Sequence, residues 1–279
     1  MSVSFAGLLL STLSLWVATE PDAVRQAADR WLAPDAVAPA IEWVRVPRGT
    51  YRPLFAPSPE ETEMVIGELL VAKTPTTNAD FLRFVRRHPE WRRDRVSRLF
   101  ADDGYLGHWK AETELEPRAR KQPVTNVSWF AARAYCAAEG ARLPTDAEWA
   151  RVAAASPSRS DGREDPKWSK AILDWYAKPS RGPERDVGAG APNFWGISDL
   201  HGLVWEWVLD FNSTLVTSDS RNTQSNYKTS FCGAGALAAR DPEDYASFMR
   251  TAFLSSLGAR NVARHLGFRC VRDTEKEAS

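Results

Sequence analysis

The run Asn193–Trp207, NFWGISDLHGLVWEW, constrains this chain more than any other segment. Its fifteen residues hold four aromatic side chains, two glycines, two carboxylates and a histidine. So much aromatic bulk in loop-like backbone has to be buried by an irregular core rather than by a regular helix or strand. Asp199 and Glu206 are the only acids in the run, and the carbonyls of Gly202 and Val204 lie between them. Carboxylate and carbonyl oxygens in one irregular segment suit a hard cation such as calcium.

The rest of the composition agrees with a loop-rich core. There are twelve tryptophans, whose indoles bury large areas and need a partner for each N–H. A ligand- or sugar-stacking surface is the functional alternative for some of them. Lysine plus arginine equals aspartate plus glutamate at 36 each, which argues against a nucleic-acid binder. Residues Ser2–Ala18 are apolar and uncharged. They fall short of the about 20 residues a membrane span needs. They read as a signal-like segment, residues 1–20, of an exported, periplasmic protein, with a buried N-terminal helix as the alternative. No later segment reads as a membrane span.

Residues 21–39 carry a helical pattern broken by Pro34 and Pro39. From residue 40 the pattern is mixed. Ile41–Val46 reads as a strand turned by Pro47-Arg48-Gly49, and Met64–Val71 as another. Thr77 caps a helix with Phe81, Phe84 and Val85 on its apolar side. Val124–Ser128 is strand-like, and Trp129–Glu139 is a helix stopped at Gly140. Thr145 and Glu148 form an S/T-x-x-E capping box for a helix through Ala154. Residues 156–192, rich in Ser, Pro, Gly, Asp and Arg, read as a long surface insertion with a helical stretch at Trp168–Tyr176. The expectation is one α+β domain over residues 40–275.

Four segments carry a family resemblance: TTNADFLRFV, PVTNVSWFAARAYCAAEGARLPTDAEW, NFWGISDLHGLVWEW and LGFRC, in that order. Together they resemble the formylglycine-generating enzyme, or sulfatase-modifying factor, family over residues 40–272. The resemblance implies a mixed α/β fold related to C-type lectins. It implies a structural disulfide between Cys136 and Cys270, closing a loop of about 135 residues and worth up to about 4–5 kcal/mol. It implies a calcium site of Asp199, the Gly202 and Val204 carbonyls and Glu206. The competing reading has Asp199 capping a turn and Glu206 paired with an arginine such as Arg269. A second calcium site of the family finds no match in the insertion.

The third cysteine, Cys232, lies in SFCGAGA. In the oxidases of the family two cysteines bind copper(I) near this point. Here the aligned positions are Ala238 and Glu243, and a soft ion that prefers two thiolates is left with one. Cys232 is the candidate functional thiol, as a copper site with His201 and His265, as a redox group, or as an inert cysteine. His201 alone, without a partner carboxylate, reads as a structural histidine rather than a base. The segment FCGAGALAARDPEDYASFMRTAF resembles a NirV-like branch of the family, associated with nitrite reductase and copper proteins. That implies an accessory protein whose partner is a copper protein such as a nitrite reductase or its assembly factors. A metal- and O2-dependent oxidoreductase with altered chemistry and a lectin-like binding module are the alternatives.

Overall fold

Side-chain caps start the helices where the sequence places them. We describe a computed structural model, over residues 40–53, 63–177, 183, 185–212 and 242–274, with only the backbone of 242–245. Cys232, Ala238 and the segments 1–20 and 21–39 lie outside the described residues, as does the side chain of Glu243. Residues from Ile41 onward belong to one compact unit.

In that unit the strands are β1 (Trp43–Val46), β2 (Gly49–Tyr51), β3 (Met64–Ile66) and β4 (Leu69–Ala72). Helices α1 (Asn78–Arg87), α2 (Trp129–Ala138), α3 (Asp146–Ala153) and α4 (Pro166–Tyr176) follow. Then come β5 (Trp205–Glu206), α5 (Pro242–Ser255), β6 (Leu266–Gly267) and β7 (Val271–Asp273). The architecture is mixed α/β. β4 is the centre of an antiparallel sheet, pairing Trp43 with Ala72 on one side and Leu69 with Asp273 on the other. β2 pairs antiparallel with β3, and β5 runs parallel to β6.

The caps are specific. Thr77 accepts the Asp80 N–H at 3.1 Å while the Thr77 N–H donates to the Asp80 carboxylate at 3.1 Å. Thr145 and Glu148 do the same for α3, at 3.2 and 2.8 Å. Ser128 caps α2 through the Ala131 N–H, and Gly140 follows that helix at φ +64°, a conformation that favours glycine.

Three local expectations change. Met64–Val71 is two strands, because the chain breaks at Gly67-Glu68 and the halves join different sheets. Val124–Ser128 forms no strand. Asn126 takes φ +51°, which ends extended pairing, and its amide bonds Ala263 rather than a neighbouring strand. The 156–192 insertion is more than surface: α4, capped by Asp165, buries Ser169 and Ile172 and packs against α5.

The core is aromatic and cross-linked. Phe81, Phe84, Tyr135 and Phe268 pack ring on ring beside a disulfide between the fully buried Cys136 and Cys270. Three indoles find acceptors in distant segments. Trp207 donates to the Val127 carbonyl at 2.9 Å, Trp129 to Val208 at 2.9 Å, and Trp109 to the Asn78 side chain at 2.8 Å. These bonds join segments far apart in sequence, so tryptophan here supplies both area and direction.

Candidate functional site

The Asn193–Trp207 run is held in place by its own carboxylates. Glu206 sits on β5, opposite Gly267 of β6. A Cβ at residue 267 would lie 2.6 Å from the Val124 carbonyl oxygen, so only glycine lets the segments approach this closely. Two residues on, Arg269 reaches back. Its Nε donates to Glu206 Oε2 at 2.7 Å and its Nη2 to Oε1 at 2.8 Å, with both side chains sealed from water. The guanidinium also donates to the carbonyls of Ser198 and Ala72, at 2.9 and 3.2 Å. Trp149 Nε1 donates to Glu206 Oε2 at 2.7 Å. A buried carboxylate needs this many partners, since desolvation alone would make the charge costly.

Asp199 is likewise committed. It takes φ +63° and accepts Arg185 Nη1 at 2.6 Å and the Gly188 N–H at 2.5 Å. Both carboxylates of the calcium set therefore accept bonds from arginines and from nearby N–H groups. An added divalent ion would face two guanidinium groups. The pairing of Glu206 with Arg269 is the arrangement that the competing reading of the sequence describes.

The histidines of the copper set are not brought together by the described residues. His201 packs on the edge of Trp175, which packs on Trp205, which packs on Phe253, and that ring lies against His265. An aromatic file thus runs between the two imidazoles. His201 hydrogen-bonds the Ala153 carbonyl through Nε2 at 3.0 Å. That fixes the proton on Nε2 and leaves Nδ1 as a buried acceptor with no partner. Burial between Trp149, Trp168 and Trp175 lowers its pKa to about 4, so the ring is neutral at pH 7. Burial also lowers the pKa of His265. Among the described residues no group of three or more His, Cys, Asp or Glu side chains converges on a metal position.

His201 instead borders a cleft of about 250 Å³ lined by α3, α4, α5 and the β2–β3 pair. Ala147, Ala150 and Ala153 of α3, with Ala154 just after it, line the space, and Tyr51, Trp168 and Tyr176 wall it. Its polar end is Asp146, Asp210 and Arg250. The Asp146 N–H donates to Asp210 Oδ1 at 2.7 Å, and Arg250 Nη1 is bonded to the Asp146 carboxylate. The same guanidinium lies 4.0 Å over the Trp149 ring, and its Nη2 has no acceptor. Burial, the largest influence, raises the pKa of Asp210. Sequence reasoning missed this group because its members come from three separated segments. The alanines at 147, 150 and 154, spaced three to four apart on a capped helix, were the available signal: small side chains on one face leave room for something else.

The chain is similar to several known proteins. The formylglycine-generating enzyme of Thermomonospora curvata is 30% identical over 171 residues, covering 54% of this chain and 55% of that protein. That of Streptomyces coelicolor is 30% identical over 194 residues, covering 60% and 59%. Hercynine oxygenase of Mycobacterium tuberculosis is 37% identical over 91 residues, covering 31% and 21%. The chain thus spans 21% to 59% of the length of these curated relatives. Among solved structures, PvdO from Pseudomonas aeruginosa matches with a TM-score of 0.45 and 17% identity, over 83% of this chain and 94% of that one. The sequence profile of the Sulfatase-modifying factor enzyme 1-like domain matches residues 29–274, which include the capped helices, the Glu206 loop and the disulfide, and the chain belongs to that family.

Proposed function

We propose that this chain is a binding protein built on the sulfatase-modifying factor scaffold, not a formylglycine-forming oxidase. Cysteine arithmetic carries the reading. The chain has three cysteines, and two of them, Cys136 and Cys270, are joined to each other in the core. Cys232 is the one thiol left, and a single chain then lacks the second thiolate that a two-coordinate copper(I) centre takes. The positions aligned with the family's catalytic pair hold Ala238 and Glu243. The place of binding is the cleft beside His201, with aromatic walls and a few convergent polar groups, the usual make-up of a ligand site.

The setting we propose is extracytoplasmic, supported by the core disulfide and the apolar start of the chain. The partner we propose is a copper protein such as a nitrite reductase or its assembly factors, supported by the resemblance of the segment around Cys232. Relatives named as oxygenase and formylglycine-generating enzyme make an oxidoreductase with altered chemistry the second reading.

One experiment separates the two. The purified chain is incubated, with and without copper(I), with a cysteine-containing sulfatase peptide, and the peptide mass is followed. An unchanged mass is expected. Conversion of the thiol to the aldehyde would overturn the reading.

A further inference from the structure

Among the described residues the large apolar side chains that stand exposed are Val65, Leu99, Phe100 and Phe194, and only Leu99 and Phe100 adjoin. Leu99 is 78% exposed, in a turn, and Phe100 is 43% exposed. The turn is anchored. Ala101 behind it is buried, and the Asp102 N–H donates to the Arg260 carbonyl at 3.0 Å. The Phe100 ring packs on Trp91 and on Phe130, at 6.0 and 5.2 Å between centroids. Phe130 meets Trp129 edge-on at 5.4 Å. Trp91, Phe130 and Trp129 are each only half-buried, so a row of four rings reaches the surface next to Leu99.

Arginines surround this tip. Arg95 and Arg98 precede it in the chain, and both side chains are exposed. Arg133 lies one turn along α2 from Trp129 and Phe130, with its guanidinium 5.4 Å over the Trp129 ring. Arg260 is exposed beside Asp102. The neighbouring acids offset part of this charge. Asp94 is bonded by Arg92 at 3.0 and 2.9 Å and lies 4.0 Å from Arg95. Asp102 accepts the N–H groups of Gly104 and Val262, Glu90 lies 3.6 Å from His88, and Asp103 faces Arg98 at 3.2 Å. Among the described residues no carboxylate pairs with Arg133 or Arg260.

We propose that this tip docks on an anionic lipid bilayer, with Leu99 and Phe100 entering the headgroup layer and the arginines meeting lipid phosphates. Half-exposed aromatic rings favour the boundary between water and lipid. Basic side chains beside an anionic leaflet add attraction that fades within a Debye length. A stable protein partner would need an apolar centre within a patch of about 20–30 residues, and two exposed apolar side chains do not make one. A second copy would set the arginines against themselves. A small anion would leave Leu99 and Phe100 in water. The tip shares no residue with the lining of the cleft beside His201, so the inference goes beyond the binding reading and does not depend on it.

The test is flotation of the full-length protein with two kinds of vesicle: phosphatidylcholine alone, and equal parts phosphatidylcholine and phosphatidylglycerol. The apolar stretch Ser2–Ala18 is common to wild type and variants, so the differences between them report the tip. Leu99→Glu is expected to weaken binding to the anionic vesicles about tenfold or more, the loss of one buried leucine side chain. Arg133→Gln and Arg260→Gln are expected to weaken it about fivefold each at low salt, and less as salt is raised. Val65→Glu, which alters an exposed apolar residue of β3, is expected to change nothing. Melting temperatures of the Leu99 and Arg260 variants are expected to match wild type, because both side chains stand in water. Leu99→Glu that floats like wild type would overturn the proposal, as would arginine variants that do so at low salt. A loss that is equal on neutral vesicles would also overturn it. So would a larger species, seen by sedimentation without lipid and lost in Leu99→Glu, which would assign the tip to a second copy. None of these outcomes involves copper or peptide oxidation, so the docking surface and the binding reading stand or fall separately.

Discussion

His201 shows how one residue type can look functional in sequence and be given a different task by its surroundings. Its Nε2 donates to the Ala153 carbonyl and its ring is clasped by three tryptophans. The imidazole is held neutral because charging it would place an ion among indoles with Arg250 and Arg269 nearby. Stability follows from this. The folded pKa is about 4, against 6.5 for a free histidine. The unfolded chain therefore binds the proton first as pH falls. The contribution is fully present above pH 6.5, declines through the window between 6.5 and 4, and is gone below it. The difference corresponds to about 3 kcal/mol at most. His108, also lowered to about 4 by burial, acts in the same window. Thermal melts of wild type and His201→Gln between pH 7 and 4 check this. The variant should lose less stability on acidification than the wild type, and parallel curves would refute the assignment.

At the scale of elements, α3 couples the fold to the cleft. Its capping box orients the first turn, and that turn carries Asp146, whose N–H meets Asp210 and whose carboxylate holds Arg250. Removing the cap hydroxyl with Thr145→Ala should cost about 1 kcal/mol, read as a lower denaturant midpoint with an unchanged slope. The cap was legible in sequence because Thr145 and Glu148 are three apart and their bonds are local. Helix α2, with its Gly140 stop, was legible for the same reason. The asparagine at 126 was not. Its positive φ serves a loop whose partners, Leu106 and Ala263, are distant in sequence. The role of α4 was hidden likewise. An insertion rich in Ser, Pro and Gly looks solvated until α5 is placed against it. The calcium set could be proposed from sequence because its oxygens are close neighbours in the chain. The arginines that bond its carboxylates come from residues 185 and 269, an arrangement that the fold reveals.

For the whole molecule, the segment from Leu266 to Asp273 is the tie that closes the domain. Gly267 lets it approach Val124, Arg269 locks Glu206, Cys270 bonds Cys136, and Val271 pairs with both β4 and Arg142. Four kinds of interaction fall within a few residues, each reaching a different part of the chain. The disulfide spans 134 residues of sequence, so removing it frees a long loop in the unfolded state and little in the folded one. Cys136→Ala with Cys270→Ala should therefore lower stability by up to about 4–5 kcal/mol. The loss should appear as a reduced melting temperature while the near-ultraviolet spectrum of the tryptophan core persists below it. The native spectrum is expected to survive because the Glu206–Arg269 pair and the β4–β7 ladder still hold the segment in register. If the double variant lost its tryptophan signature at low temperature, the disulfide would be needed to build the domain and not only to stabilise it. The Glu206–Arg269 tie would then be the dependent interaction.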